Sequence, residues 1–219
     1  MTRSRWISDL HWVRTGQQPR AQATQEAILE AAAWLIAEKG VEAASVADVA
    51  ARADCSVGSV YHHFRDKRTL LYAVIDRMSE QLSETIRDAV DPTRWAGAKV
   101  VDILRAYLEF SLETSRPRPI FQEAGVVAAR SDARVREHLA ALRGMLDDGL
   151  AALLLARRDE IGHPDPELAT RFVLDQLGAL LHVRLNPLPI PTALDGRPDA
   201  VFIAEAIRAS SDYLRLEGR

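Results

Sequence analysis

The chain has 219 residues, of which 47% are apolar, and a formal net charge of −3, enough to bury the core of one large or two small domains. The mild acidity excludes a protein that coats nucleic acid through bulk charge, so any such binding must rest on placed cations. Cys55 is the only cysteine, which excludes an intrachain disulfide and suits a reducing, cytoplasmic setting; no apolar run approaches the roughly 18 residues of a membrane span, and Asp9, His11 and Arg14 interrupt any signal-peptide core.

Residues 1–20 form an N-terminal extension. Trp6, Leu10 and Val13 fall at helical spacing, Gly16 to Pro19 mark a joint, and Arg3, Arg5, Arg14 and Arg20 are candidate phosphate contacts. A helix is expected over Gln22–Lys39, with Ile28, Ala31, Ala32, Leu35 and Ile36 on one face and Gly40 as its stop. Val46, Val49, Ala50 and Ala53 then recur at i, i+3, i+4, i+7, one face of a short helix. Ser45 precedes it and Asp48 stands three on, the pattern of an N-terminal capping box. After Asp54-Cys55-Ser56, Ser56 caps a second short helix with Val60 and Phe64 inward. Two short helices joined by about three residues make a helix-turn-helix, which places its second helix in the DNA major groove.

A long helix follows over Asp66–Val90, carrying Leu71, Val74, Ile75, Met78, Leu82 and Ile86 and ended by Asp91-Pro92. Further helices are expected at Trp95–Thr114, Ile120–Ala129, Ala133–Ile161, Glu167–Leu185 and Pro198–Leu216. Asp165 is positioned as a cap and Pro166 as a first helical residue; residues 186–191 form a stiff proline-rich loop. No strand-like alternation appears, so the fold class is all-α. Residues 1–70 carry nine Lys/Arg against eight Asp/Glu, and residues 71–219 nineteen against twenty-three. The slight basic excess lies with the helix-turn-helix.

Within the motif, Ser45 can serve both as cap and as a phosphate donor. Val57, Gly58, Ser59, Tyr61, His62 and His63 are expected to face outward from the second helix. Gly58 permits close approach, Ser59 can bond a base edge and Val57 can touch a thymine methyl. His62-His63 is no metal pair, since adjacent helical positions diverge by about 100°, and no metal or other cofactor is expected. Cys55 reads as a small buried residue of the turn.

The ordered set Ile28-Leu29, Ala31-Ala32, Leu35, Gly40, Ser45-Val46, Val49-Ala50, Ala53, Ser56, Gly58, Val60-Tyr61, His63-Phe64, Lys67 and Leu70-Leu71 resembles the DNA-binding domain of TetR/AcrR-type bacterial transcriptional regulators. The turn departs from that pattern at Asp54, where the family has Gly; Asp tolerates positive φ better than most residues, so the turn should survive. The resemblance implies a three-helix DNA-binding domain over 21–66 and a larger helical ligand-binding and dimerisation domain over 67–219. It also implies phosphate contacts by Tyr61 and Lys67 and a near-backbone contact by His63; Ser56, the cap of the second helix, is a further candidate DNA contact. For the second domain it implies a cavity for a small apolar or aromatic effector. Ile103, Tyr107, Phe110, Phe121, Leu142, Met145, Leu146 and Phe172 would line it, with His138 or Gln176 as the orienting polar group. The last two helices are apolar on more than one face and would pair with their copies in a homodimer, Leu181 and Phe202 lying on the pairing face.

The function expected is a ligand-responsive regulator, with repression favoured, that binds a palindromic double-stranded operator and is released by its effector. The alternatives are a DNA-binding regulator without a ligand and an all-helical enzyme. The enzyme has no support, because the chain lacks a phosphate-binding glycine loop, an H-E-x-x-H helix and a nucleophile elbow.

Overall fold

The computed structural model describes residues 19–115, 125, 128–130, 132–185 and 196–216. The N-terminal arginines Arg3, Arg5 and Arg14, residue Phe121, most of the helix expected at 120–129, and the loop at 186–191 lie outside the described residues. The described residues include the α-helices α1 Pro19–Ala43, α2 Val46–Arg52, α3 Val57–His63, α4 Lys67–Ala89, α5 Val100–Ser115, α6 Ala133–Leu155, α7 Pro166–Leu185 and α8 Asp199–Leu214, with further helical residues at 125 and 128–130. Short 3-10 turns occupy Pro92–Trp95 and Arg158–Glu160. An isolated antiparallel bridge joins Ile161 and Leu216. The all-α expectation holds.

The chain divides into two compact units. One takes in the described residues of Met1–Glu84 and Arg118–Leu142, the other those of Thr85–Pro117 and Arg143–Arg219. Helices α4 and α6 therefore each contribute residues to both.

In the first unit, α1 presents Ile28, Ala31, Ala32, Leu35 and Ile36 to a core completed by Val49, Val60, Phe64, Leu71, Val74 and Ile75, with Ala128 and Val135 from the later segment. Gly40 (φ 82°) breaks the helical geometry of α1 where a stop was expected, and one further turn follows it. Asp66 starts α4: its carboxylate accepts from the Thr69 backbone N–H at 2.7 Å and from the Thr69 hydroxyl at 2.8 Å.

The second unit corrects one helix start. Trp95 does not open α5. The Asp91 side chain accepts from the Thr93 N–H (2.9 Å), turning Pro92–Trp95 into a 3-10 turn. Gly97 follows at φ 77°, and Asp102 caps the helix through the Lys99 N–H at 2.9 Å. Trp95 folds back instead, donating its indole N–H to the Ala89 carbonyl at 2.7 Å. Helix α6 also ends early, at Leu155 rather than Ile161. There the Arg157 guanidinium gathers the carbonyls of Leu153, Ala98 and Trp95, fixing a turn that the apolar pattern alone does not announce. Helix α7 begins as expected, with the Leu168 N–H donating to the Asp165 carboxylate at 3.0 Å and Pro166 as first residue. Val100, Ile103, Leu104, Leu108, Leu154, Val173, Leu174, Leu177, Phe202 and Leu214 form this unit's core. Arg215 (φ 53°) ends α8, and the carbonyls of Leu214 and Arg215 accept from His163 and Gly162.

Candidate nucleic-acid interface

The first unit builds a surface from α2, its turn and α3. Ser45 caps α2 in a complete capping box. Its Oγ accepts from the Asp48 N–H at 3.1 Å and donates to the Asp48 carboxylate at 2.6 Å, while the Ser45 N–H donates to the same carboxylate at 3.1 Å. The Lys39 ammonium donates to it at 2.7 Å. Lys39 first, then Ser45, holds the Asp48 carboxyl at about 2, against 3.8 ordinarily. The Ser45 proton is thus directed at Asp48, and donation to a phosphate requires it to turn away.

The turn is closed by the Cys55 N–H donating to the Ala50 carbonyl at 3.0 Å. Asp54 sits at φ 50°, the left-handed conformation that its place in the motif suggested. Burial pushes the half-buried Cys55 thiol up, toward its unreactive protonated form. Ser56 then caps α3, its Oγ accepting from the Ser59 N–H at 3.0 Å and lying 3.0 Å from the Ser59 hydroxyl.

On α3, Val60 and Phe64 are 1% exposed and face the core, as the spacing required. Val57 (42%) and Tyr61 (52%) stand out into solvent with Gly58 and His62. Ser59 is half-buried beside Ser56. His63 corrects the expected outward set, because it is 5% exposed. It lies three residues after Val60 and shares the inward face with it, since α3 ends at His63 and Phe64 continues in extended geometry (φ −131°, ψ 117°). The exposed Lys67 donates from Nζ to the Glu42 carbonyl at 3.0 Å, which parks its ammonium beside the end of α1. One neighbouring pair has no signature in local spacing: the Arg52 guanidinium lies 3.5 Å over the ring of Trp34, 18 residues away.

The residues expected around an effector are divided between the two units, and three of them face outward. Ile103 (0%) and Tyr107 (8%) are buried in the second unit. Met145 and Leu146 are half-buried there. Leu142 and His138 belong to the first unit, where burial lowers the His138 pKa and the Glu80 charge opposes it. Phe110 (37%), Phe172 (50%) and Gln176 are exposed, so they do not face inward as expected. The inward stripe of α7 is already filled by Ala169, Thr170, Val173, Leu174, Leu177 and Leu181. Phe172 packs outside it against Tyr213, ring centroids 5.0 Å apart. Leu181 (5%) and Phe202 (3%) are core residues and not part of an outer pairing face; that surface of α7 and α8 exposes Leu168 (60%), Phe172, Leu180 (36%) and Val201 (40%). The charges of Arg143 and Asp147 both act on Tyr107, and Arg143 donates to the Asp147 carboxylate at 2.5 Å. Its guanidinium occupies the space where a Cβ on Gly178 would project. Among the described residues no group of three metal-ligating side chains occurs and no helix is long and apolar enough to cross a membrane.

Residues 28–74 match the family model described as bacterial regulatory proteins, tetR family. Over 101 residues the chain is 27% identical to the Transposon Tn10 TetC protein of Escherichia coli, covering 46% of this chain and 50% of that protein. Over 83 residues it is 36% identical to the HTH-type transcriptional repressor Rv3405c of Mycobacterium tuberculosis, covering 38% and 42%. The matched region thus spans about half or less of these relatives' lengths. The fold resembles a tetR-family transcriptional regulator from Mesorhizobium loti (TM-score 0.67, 20% identity, 90% of this chain and 98% of that one). It also resembles SmeT, the repressor of the Stenotrophomonas maltophilia multidrug efflux pump SmeDEF (TM-score 0.58, 23% identity, 88% and 90%). The helix-turn-helix residues of α2 and α3 thus fall inside the segment, 28–74, that matches the DNA-binding domain of tetR-family bacterial regulatory proteins.

Proposed function

We propose that the protein is a DNA-binding transcriptional repressor, acting as a homodimer on a palindromic operator and released by a small apolar or aromatic effector. The observation that carries this reading is α3. It is fixed from behind by Val60, His63 and Phe64 while Val57, Gly58, Tyr61 and His62 stand clear of the body. A helix held on one face and open on the other is what a major groove can accept. Ser45, Ser56 and Lys67 border the same surface and would set its register on phosphates. The names of SmeT and Rv3405c favour repression.

The exposed apolar side chains of α7 and α8 support pairing of two copies. Two reading helices docking in adjacent major grooves must lie about 34–36 Å apart. An effector need only favour a different spacing, and must bind that state better, to free the DNA. Ile103 and Tyr107, with Arg143 beside the phenol, are the residues of the second unit best suited to meet it. Helices α4 and α6, which contribute to both units, would carry the change.

The test is a footprint on the DNA flanking the gene. A protected palindrome with two half-sites one helical turn apart is the expected result. A protein that retards no DNA over a range of salt would end this reading.

A further inference from the structure

Proline apart, glycine is the residue that favours the helix least, so a glycine in the first turn of the seven-residue α3 calls for a reason. Internal packing supplies none at Gly58. A Cβ built there meets only Ser56 Oγ, at 3.6 Å, an ordinary van der Waals contact. Backbone conformation supplies none either, since Gly58 is not among the positive-φ residues. Gly149 in α6 is the opposite case: its Cβ would lie 2.7–2.8 Å from three atoms of Val90. The missing side chain at Gly58 therefore serves something that approaches from outside.

What flanks it is apolar. Val57 and Tyr61 are 42% and 52% exposed and stand at i and i+4, on one ridge beside Gly58. Outward hydrogen-bonding groups on α3 are the Tyr61 phenol and the His62 imidazole, neither of which grips a base edge with two bonds. The α3 sequence, VGSVYHH, contains no Arg, Lys, Asn or Gln, the side chains that grip a base edge with two bonds. The Ser59 hydroxyl lies within hydrogen-bond distance of Ser56 Oγ, and His63 is buried. The apolar feature that a major groove offers is the 5-methyl group of thymine.

We propose that Gly58 forms an open notch, walled by Val57 and Tyr61, that seats thymine 5-methyl groups, so that this protein reads its operator by methyl contact more than by paired hydrogen bonds. The inference rests on the DNA-binding reading above and names the base feature that reading left open.

The experiment begins with duplexes enriched by the wild-type protein from a randomised pool. Each half-site thymine is then replaced in turn by deoxyuridine, which removes only the methyl group. At one or two positions per half-site the wild type should bind about fourfold more weakly for each methyl lost. Gly58→Ala should raise the thermal midpoint, weaken binding by about tenfold or more, and no longer distinguish thymine from deoxyuridine at those positions. Val57→Ala should keep DNA binding while the methyl preference falls below about twofold. A wild type indifferent to every deoxyuridine, or a Gly58→Ala protein that binds as tightly as wild type, would overturn this inference alone. A wild type that enriches no duplex would overturn the DNA-binding reading and this inference with it.

Discussion

Replacing Leu168 and Phe172 together by arginine should convert the protein to a monomer without unfolding it. Full burial of a large apolar side chain is worth about 1.5–3 kcal/mol. Leu168 and Phe172 are 60% and 50% exposed, so each has roughly 1 kcal/mol still to gain from being covered. A two-fold interface uses every residue twice. The double substitution therefore removes about 4 kcal/mol from the dimer, close to a thousandfold in its dissociation constant, before any cost of desolvating four guanidinium groups. Sedimentation equilibrium over a concentration series reads the constant, and the far-ultraviolet dichroism spectrum reports whether the helices persist. A double variant with native helicity and the wild-type dissociation constant would refute the argument and place the interface elsewhere. Leu181→Arg and Phe202→Arg are poor probes of the same question. At 5% and 3% exposure, they would bury an unpaired charge in the second core and unfold it.

Three further outcomes follow from particular contacts. Lys67→Ala should weaken DNA binding about equally across sequences and reduce the salt slope by roughly one, one counterion per lost phosphate contact, as measured by titration at several salt concentrations; an unchanged slope would remove Lys67 from the interface. Because the Asp48 pKa falls from 3.8 to about 2 on folding, its contribution to stability is complete above about pH 4 and is lost as the pH drops toward 2; Asp48→Asn should flatten the acid-unfolding curve in that window, and an identical curve would show the carboxylate to be uncoupled from folding. Gly149→Ala should destabilise by about 1–3 kcal/mol, because the stiff Val90 side chain stands 2.7 Å from the new carbon; Val90→Ala in the same chain should recover much of the loss in urea melts, and failure to do so would mean the strain is relieved by other means.

Much of the first unit was legible because its rules are local. Ser45 with Asp48, Ser56 and the positive φ of Asp54 each depend on residues within three or four positions, as does Asp165 with Pro166 in the second unit, and the structure uses all of them. The same reasoning misplaced His63, which stands at i+3 from Val60 and so lies on the inward face by the helical period itself, beside Phe64. The start of α5 was missed because a side-chain cap at Asp91 and a left-handed Gly97 outweighed the apolar run through Trp95. The placement of the residues expected around an effector was least legible. Which face of α7 turns inward is decided by partners on α5 and α8, far away in sequence, so Phe172 looked no different from Val173. Arg143 carried no signal at all, since its space is provided by the glycine at 178.

The first unit is assembled from two separate lengths of chain, and this bears on how regulators of this kind can be rearranged. The family match stops at residue 74, yet the core behind the reading helix also takes Ala128 and Val135. A fragment cut after residue 84 would leave those two places open to water. Transplanting the head of this protein onto another body therefore needs two splices, one in α4 and one in α6, with the segment up to Leu142 travelling along. Exchange of heads by a single crossover would leave each hybrid with a core drawn from two parents. New pairings of head and body would then arise more readily by substitution within each than by shuffling of whole halves.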